Sequence, residues 1–247
     1  MNDQIKIKTA LISVYSKDGV EGLARELESY GIQIISTGGT FDFLVSKGIH
    51  AISIESITSY PSILGGRVKT LHPKIFGGIL WRRDQLSDVG DVEKYEIPSV
   101  DLVVVDLYPF EKTVATTSNE DEIIEKIDIG GITLIRAAAK NYAHVVVVPS
   151  ADSYQKLIDI LSKNNGFTNL SDRRLFAARA FNISSHYDTE ISIISTVRKK
   201  FRHSNKASWL PAPCVTEKTH IKMVPFMGIL KASIPSCMER NYPTTTL

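Results

Sequence analysis

The stretch GGRVKTLHP, residues 65–73, combines residue types suited to holding an anion. Its two glycines let the backbone adopt positive φ or pass close to a ligand. Arg67, Lys69 and Thr70 then place two cations and a hydroxyl within a few residues. A solvated basic loop is the alternative, and functional residues favour such loops. The stretch is therefore a candidate for binding an anionic ligand.

Two further segments carry glycines beside polar residues. Residues 36–40 read STGGT between a predicted strand and a predicted helix, where free backbone N–H groups and the helix dipole attract anions. An ordinary capped turn is the alternative there. Residues 128–131 read DIGG. If the three segments converge on one edge of a sheet, they and Lys17 suit a phosphorylated small molecule.

Each titratable candidate also has a structural interpretation. Lys69 is equally consistent with a plain phosphate contact, and Asp128 with an N-cap for the segment that follows it. Lys140 fits a cation at a helix C-terminus, where the dipole stabilises it. Tyr108 fits a core ring with a hydrogen-bonded tip. Taken singly these residues favour structure, and taken together beside the glycine segments they favour a site.

Other kinds of site lack their signatures. The six His are scattered and form no HExxH pattern, so no transition-metal site is predicted. The two Cys, at positions 214 and 237, leave the first 213 residues without a thiolate or disulfide framework. Neither GxxxxGK[ST] nor GxGxxG occurs, which disfavours NTP-hydrolysing and dinucleotide-binding loops. No GxSxG elbow occurs, although a Ser/His/Asp triad stays open. No cofactor is expected.

Composition is that of an ordinary globular chain. Of its 247 residues, 43% are hydrophobic and 23% are charged, and the net charge is +2. That charge is too small to indicate nucleic acid or a membrane surface. The N-terminus lacks the apolar core of a signal peptide, and no apolar run approaches a membrane span. We expect a soluble cytoplasmic protein.

Short apolar runs alternate with helical spacing along the chain. Strands are predicted over residues 9–14, 32–35, 50–54, 102–106 and 145–148. Helices are predicted over residues 20–30, 41–47, 88–98, 119–126, 132–141, 151–163 and 171–198, and residues 74–81 fit a short helix or a strand. This alternation predicts an α/β fold, a doubly wound, mostly parallel sheet with helices on both faces.

Several long strings resemble one family, the IMP cyclohydrolase domain of AICAR transformylase/IMP cyclohydrolase. They span about residues 7–200 in the family's order. The strings are ALISVYSKDG, IISTGGT, SYPSILGGRVKTLHPKIFGGIL, VVVDLYPFEKTVA, IEKIDIGGITLIRAAAKN and AFNISSHYD.

The resemblance implies a methylglyoxal-synthase-like fold and a reaction without metal or cofactor. That reaction closes the ring of 5-formamidoimidazole-4-carboxamide ribotide to IMP with loss of water. The 5′-phosphate would lie against Ser13, Lys17 and the turn formed by Ser36, Thr37, Gly38, Gly39 and Thr40. The base and ribose would face Arg67, Lys69, Thr70 and Asp106, and the reacting groups would be surrounded by Tyr108, Asp128, Gly130, Gly131 and Lys140.

The chemistry assigns roles as hypotheses. Lys69 would stabilise the developing oxyanion, Asp128 would orient or deprotonate the amide, and Lys140 and Tyr108 would be supporting donors. Two positions depart from many relatives. Tyr15 replaces a small Ser, and Asp106 replaces an Asn, which adds negative charge and removes an amide donor.

The C-terminal part departs from the family altogether. Relatives continue through a string like LRYGENPHQ, whereas this chain reads PCVTEKTHIK at residues 213–222. A back-translation of these residues, read one frame over, spells LRYGENPHQ. Residues 236–247 become family-like in the same frame. We therefore expect a cyclohydrolase domain over 1–200 and a frameshifted, disordered tail over 201–247, with a genuine short extension as the alternative.

Three functions follow from these expectations. The first is IMP cyclohydrolase acting on a purine ribotide, without the formyltransferase activity. The second is a nucleotide- or phosphate-binding regulatory module of the same fold, although such a sensor needs only the βα turn. The third is an inactive fragment. The resemblance also leaves a homodimer open.

Overall fold

The computed structural model describes residues 3–202, and the side chains of residues 3–195. These residues belong to the first of two units into which the chain divides, Met1–Ser204. Apart from its first two residues, the predicted tail over 201–247 lies outside the described part. The frameshift hypothesis and both cysteines therefore lie outside it too.

A five-stranded parallel sheet forms the centre of the fold. Its strands are β2 (Thr9–Ser13), β3 (Gln33–Ser36), β4 (Ala51–Ser53), β5 (Leu102–Val105) and β6 (Val146–Val148), in the order β4-β3-β2-β5-β6. Neighbouring strands pair along most of their lengths, with Leu11 opposite Ile35 on one side and Val103 on the other. A separate antiparallel ribbon pairs β1 (Ile5–Lys6) with β7 (Phe167–Thr168).

Helices cover both faces of the sheet. They are α1 (Val20–Ser29), α2 (Gly38–Ser46), α3 (Ile54–Thr58), α4 (Pro73–Leu80), α5 (Leu86–Lys94), α6 (Phe110–Thr116), α7 (Glu120–Glu125), α8 (Gly130–Lys140), α9 (Tyr154–Lys163) and α10 (Leu170–Arg202). The chain winds outward from β2 in both directions, so right-handed crossovers put α1 and α8 on opposite faces. Accordingly α1 packs against α9, while α8 packs against α4 and α10. Within residues 3–202 no helix is long and apolar enough to span a membrane. The predicted doubly wound α/β fold is confirmed.

Strands covered on both faces explain the apolar runs in the sequence. Every residue of β5 and β6 is buried. Burying one such Val, Leu or Ile side chain contributes about 1.5–3 kcal/mol, before entropy is subtracted. These strands therefore hold rigidly the loops that leave their carboxyl ends.

A buried carboxylate ties the beginnings of the strands together. Asp101 is 4% exposed, and its Oδ2 accepts the backbone N–H groups of Lys8 (2.7 Å) and Thr9 (3.0 Å). Its Oδ1 lies 2.7 Å from the guanidinium of Arg83. This polar network lies at the amino end of the sheet, away from the carboxyl ends.

Several predicted boundaries are wrong. The helix expected over 88–98 is α5 (Leu86–Lys94), and the helix expected from residue 151 begins at Tyr154. Three other boundaries are wrong because a helix starts early. The helix expected from residue 41 begins at Gly38, and the helix expected from residue 132 begins at Gly130. The strand expected over 50–54 ends at Ser53, because the Ser53 side chain accepts the Ser56 N–H and caps α3. STGGT and DIGG are thus helix N-termini rather than free loops.

The remaining differences concern short elements. The segment left open between helix and strand is the helix α4, opened by Pro73 at a position where its missing N–H costs nothing. The ribbon of β1 and β7 and the helices α3 and α6 were not predicted. They are only two to seven residues long, too short for a periodic pattern.

Candidate functional site

A cavity of about 820 Å³ opens at the carboxyl ends of β2, β3 and β5. The strand order reverses at β2, and open α/β sheets bind ligands at such a switch point. Residues 64–71 and 124–131 complete its walls. Most of the predicted site residues line this cavity: Ser13, Lys17, Thr37, Gly39, Thr40, Arg67, Lys69, Thr70, Asp106, Tyr108, Asp128, Gly130 and Gly131.

Lys17 lies at the inner end of the cavity, held by the end of β2. Its Nζ donates to Thr40 Oγ1 (3.1 Å) and to the Val14 carbonyl. Burial lowers the pKa of Lys17; the charge of Asp106 opposes this and that of Lys69 adds to it. An anion bound between the two ammonium groups would favour the charged form of both.

The N-terminus of α2 faces the same end. Its N-cap Thr37 makes no side-chain cap hydrogen bond, and Thr37 Oγ1 lies 3.4 Å from Ser13 Oγ. Gly38 has φ +45°, and a Cβ there would stand 3.1 Å from Lys69 Nζ. A helix N-terminus with a lysine ammonium beside it is a suitable place for a phosphate.

Three predicted site residues, Ser36, Gly38 and Lys140, do not line the cavity, although Gly38 lies next to Lys69. Ser36 is fully buried, and its Oγ donates to the Ile12 carbonyl (2.8 Å), so it joins β3 to β2. Lys140 is the exposed last residue of α8, a helix that starts at the cavity. At 1.5 Å per residue it lies about 15 Å along the helix from Gly130. Lys140 does not line the cavity, and its role in the reaction stays a prediction.

Residues 65–71, which contain the two glycines and the two cations, form one outer wall. Gly65 and Gly66 have φ of 65° and 88°, which only glycine adopts readily. They turn the chain so that the guanidinium of Arg67 pairs with Glu125, the last residue of α7. This pairing raises the pKa of Arg67, which therefore stays fully charged.

Asp106 follows β5 and binds the loop after β2. Its two carboxylate oxygens accept the backbone N–H groups of Tyr15 and Ser16, the latter at 3.0 Å. Burial raises the pKa of Asp106, while these two hydrogen bonds and Lys17 lower it. The departure from Asn at this position thus supplies two acceptors to one loop.

Asp128 and Tyr108 form the polar part of the opposite wall. Asp128 Oδ1 accepts the Gly131 N–H at 2.7 Å, so the carboxylate pairs one N–H of the first turn of α8, although the N-cap residue itself is Ile129. Burial raises the pKa of Asp128, against backbone hydrogen bonds from Gly131 and Tyr108; the negative charge of Asp106 adds to the rise, and Lys69 opposes it. Burial and the charge of Asp128 raise the pKa of Tyr108, which keeps its proton near neutral pH.

The first turn of α8 fits tightly between Thr70 and Asp128. A Cβ on Gly130 would stand 2.9 Å from Thr70 Oγ1, and one on Gly131 would stand 2.6 Å from Asp128 Oδ2. A side chain at either position would therefore displace the Thr70 hydroxyl or the Asp128 carboxylate from its place. The DIGG pattern reflects this packing.

Several lining residues were not predicted as site residues. Tyr15 is 53% exposed, and its ring centroid lies 5.0 Å from that of Tyr108. Its position two residues after β2 and its departure from the Ser of many relatives were the signals in the sequence. Glu125 and the apolar rim residues Leu64, Ile124 and Ile129 carry no such signal, because tertiary packing brings them to the cavity.

One group of potential metal ligands lies outside the cavity lining. Glu111, His186 and Glu190 bring ligand atoms within 4.8 Å of one another on α6 and α10. His186 Nε2 lies 2.7 Å from Glu111 Oε1, and both side chains are exposed, as in an ordinary surface pair.

The two ends of the cavity differ in chemistry. Lys17, Lys69 and the start of α2 make the inner end positive, whereas Asp128 and Tyr108 offer a proton acceptor and a proton donor. A phosphorylated molecule held at the first end would present its other groups to the second.

Family models match nearly the whole described chain. Residues 19–133 match the MGS-like domain, and residues 138–219 match the AICARFT/IMPCHase bienzyme. The expectation of a methylglyoxal-synthase-like fold is confirmed by the first match.

Individual relatives carry a related name. The bifunctional purine biosynthesis protein PurH of Bacteroides thetaiotaomicron is 56% identical over 191 residues, 77% of this chain and 38% of that protein. PurH of Clostridioides difficile is 48% identical over 185 residues, 75% of this chain and 36% of that protein. A solved structure titled "Crystal structure of ForH" is 33% identical with a TM-score of 0.66, covering 75% of this chain and 97% of its own. The chain spans well under half the length of the curated relatives it matches.

Proposed function

This chain belongs to the AICARFT/IMPCHase bienzyme family through its MGS-like domain, and from that membership we propose that it is an IMP cyclohydrolase. It closes the ring of 5-formamidoimidazole-4-carboxamide ribotide to IMP with loss of water. The chain matches only 38% of the length of the PurH relative from Bacteroides thetaiotaomicron, so the proposal is limited to the cyclohydrolase reaction.

One observation carries the proposal: a single cavity brings an anion-binding end together with Asp128 and Tyr108. The ribotide phosphate binds between Lys17 and the N-terminus of α2. Its base then reaches the outer end, where the formyl and carboxamide groups meet. Because both reacting groups belong to one molecule, holding them in contact supplies a large part of the rate.

The chain's own residues then handle charge and protons. The carboxamide nitrogen attacks the formyl carbon, and Asp128 accepts the proton that this nitrogen loses. Its raised pKa makes it a stronger base than an ordinary carboxylate. Lys69 stabilises the oxyanion that forms, and the proton held by Asp128 passes to it to give a hydroxyl group. Tyr108 donates the second proton as the C–O bond breaks, so the oxygen leaves as water. The formamide nitrogen loses its proton as the C=N bond of the new ring forms, and this proton returns to Tyr108.

The direct test is to mix the purified chain with the formylated ribotide and follow IMP by absorbance. We expect Lys69→Ala to lower kcat about 100- to 1,000-fold, the usual loss for one oxyanion donor. Asp128→Ala should lose about 100- to 10,000-fold, as expected for a general base. Lys163→Ala, on an exposed lysine at the end of α9, is the matched control and should leave kcat unchanged.

Binding separates the alternatives. A chain that binds IMP in a calorimeter but forms none is a nucleotide-binding module. A chain that neither binds nor reacts is an inactive fragment. Either result would overturn the proposed activity.

The proposal also includes the expected partner and location of the protein. The partner is a small-molecule ribotide, the chain acts in the cytoplasm, and neither nucleic acid nor a membrane takes part. The homodimer that the resemblance leaves open is tested by size-exclusion chromatography with light scattering.

A further inference from the structure

Tyr187 projects from α10 to the back of the wall that carries Asp128. It is 8% exposed and packs with Phe110 and Ile123 in a small apolar cluster separate from the main core. Its ring centroid lies 6.0 Å from that of Phe110, at an angle of 64°. The ring is therefore fixed by packing, which fixes the position of its hydroxyl.

That hydroxyl makes two hydrogen bonds to one short turn. It accepts the backbone N–H of Asp128 at 2.9 Å and donates to the carbonyl of Lys126 at 3.1 Å. Residues 126–128 form a turn within the connection 126–129 between α7 and α8, and one side chain from a distant helix binds the first and last residues of that turn. Burial raises the pKa of Tyr187, so the hydroxyl keeps the proton that it donates.

Asp128 is thus held from two sides. On the cavity side its carboxylate accepts the Gly131 N–H, and behind it the backbone N–H binds Tyr187. Without the hydroxyl, the part-buried amide of Asp128 and the part-buried carbonyl of Lys126 would each lose this partner. The turn would then shift or open, and the carboxylate would move with it.

We propose that Tyr187 is a positioning residue for Asp128, holding the turn of residues 126–128 so that the carboxylate faces Lys69 and Tyr108. Tyr187 does not line the cavity and touches no substrate. The inference rests on the proposed function, because it assigns Tyr187 to the reaction that Asp128 serves. It also makes α10 part of the support of the site.

The variant Tyr187→Phe tests this in the full chain, because it removes both hydrogen bonds and keeps the packed ring. We expect kcat for IMP formation to fall about 10- to 100-fold with KM little changed, since a displacement near 1 Å can cost about 100-fold. A loosened turn admits water to Asp128, so the acidic limb of the pH profile should move to lower pH. Tyr142→Phe, a partly buried tyrosine packed on the main core, should change neither quantity.

A double-mutant comparison tests whether Tyr187 affects kcat through Asp128. If Tyr187 acts through Asp128, then Tyr187→Phe should have little further effect on kcat in an Asp128→Asn background. Losses that multiply, or a Tyr187→Phe variant with the wild-type kcat and pH profile, would overturn the inference.

Amide hydrogen exchange provides a readout that needs no activity. The Asp128 amide should exchange faster in folded Tyr187→Phe than in the wild type or in Tyr142→Phe. Unchanged exchange would overturn the inference even if IMP is formed. A wild-type chain that forms no IMP would instead overturn the proposed function, with the exchange result still deciding the anchoring of the turn.

Discussion

At Asp128 the burial that raises the pKa of the carboxyl also lowers the stability of the fold at neutral pH. Burial raises the pKa of this carboxyl above its ordinary value of 3.8, so folding disfavours the ionised form. The unfolded chain ionises at the ordinary pKa. The stability that the protonated carboxyl contributes is therefore fully present below pH 3.8 and is lost as pH rises through the raised pKa.

We expect Asp128→Asn to be more stable than the wild type at neutral pH, and the difference to shrink toward pH 3.8. The Asn oxygen can still accept the Gly131 N–H, so this hydrogen bond to the first turn of α8 is kept. Melting temperatures measured by calorimetry across this range check the prediction. A difference in Tm that does not change with pH would contradict it.

Asp106 influences the same titration from across the cavity. Its negative charge raises the pKa of Asp128, so Asp106→Asn should lower that pKa and shift the acidic limb of IMP formation to lower pH. The pH dependence of kcat checks this. Asp159→Asn, an exposed carboxylate on α9, is the control; an unmoved limb in Asp106→Asn would count against the assignment of that limb to Asp128.

At the scale of elements, alanine substitutions at two helical glycines test how closely α4 packs against its neighbours. A Cβ on Gly78 would stand 2.2 Å from the Pro98 carbonyl, whereas a Cβ on Gly90 in α5 meets nothing within 4 Å. Gly78→Ala should therefore destabilise the fold by about 1–3 kcal/mol, as overpacking does. Gly90→Ala should stabilise it by about 0.5–1 kcal/mol, because alanine favours the helix.

Urea denaturation of the two glycine variants gives both free energies of unfolding. We expect the free energy of unfolding to fall in Gly78→Ala and to rise in Gly90→Ala. If Gly78→Ala were as stable as the wild type, the close packing of α4 on the segment before β5 would be wrong.

The elements were largely predictable because buried parallel strands are written as apolar runs. The apolar runs LVVV and VVV are typical of buried parallel strands. In the helices between the strands, apolar residues recur at helical spacing. Most of the predictions that were wrong concern the first residues of helices. Gly38 and Gly130 look like loop residues, yet each opens a helix whose first turn packs closely against a neighbour, such as Thr70 beside Gly130.

The site was predictable where its residues follow a strand directly. Asp106 and Tyr108 follow β5, and Thr37 follows β3, so sheet topology alone brings them together. Ser36 failed because it is the last residue of β3 and points into the sheet. Glu125 and Tyr187 could not be found, because only tertiary packing of α7 and α10 brings them to the wall.

At the scale of the whole molecule, we propose that the fold is complete within residues 1–200 and that residues 201–247 are a frameshifted addition. A chain ending at residue 202 should then match the full chain in Tm and in kcat for IMP formation. Calorimetry and the absorbance assay check this. Resequencing of the gene is the companion test, and a clean frame through PCVTEK, or a shortened chain that loses activity, would count against the proposal.

The ribbon of β1 and β7 lies where the strands of the sheet begin, beside Asp101. The five residues of β2 separate it from the cavity by about 16 Å, at about 3.3 Å per residue. A biosensor chip that captures the protein through an amino-terminal tag would therefore orient the cavity toward the flowing solution. Ligand affinities read from such a surface should agree with those measured free in solution.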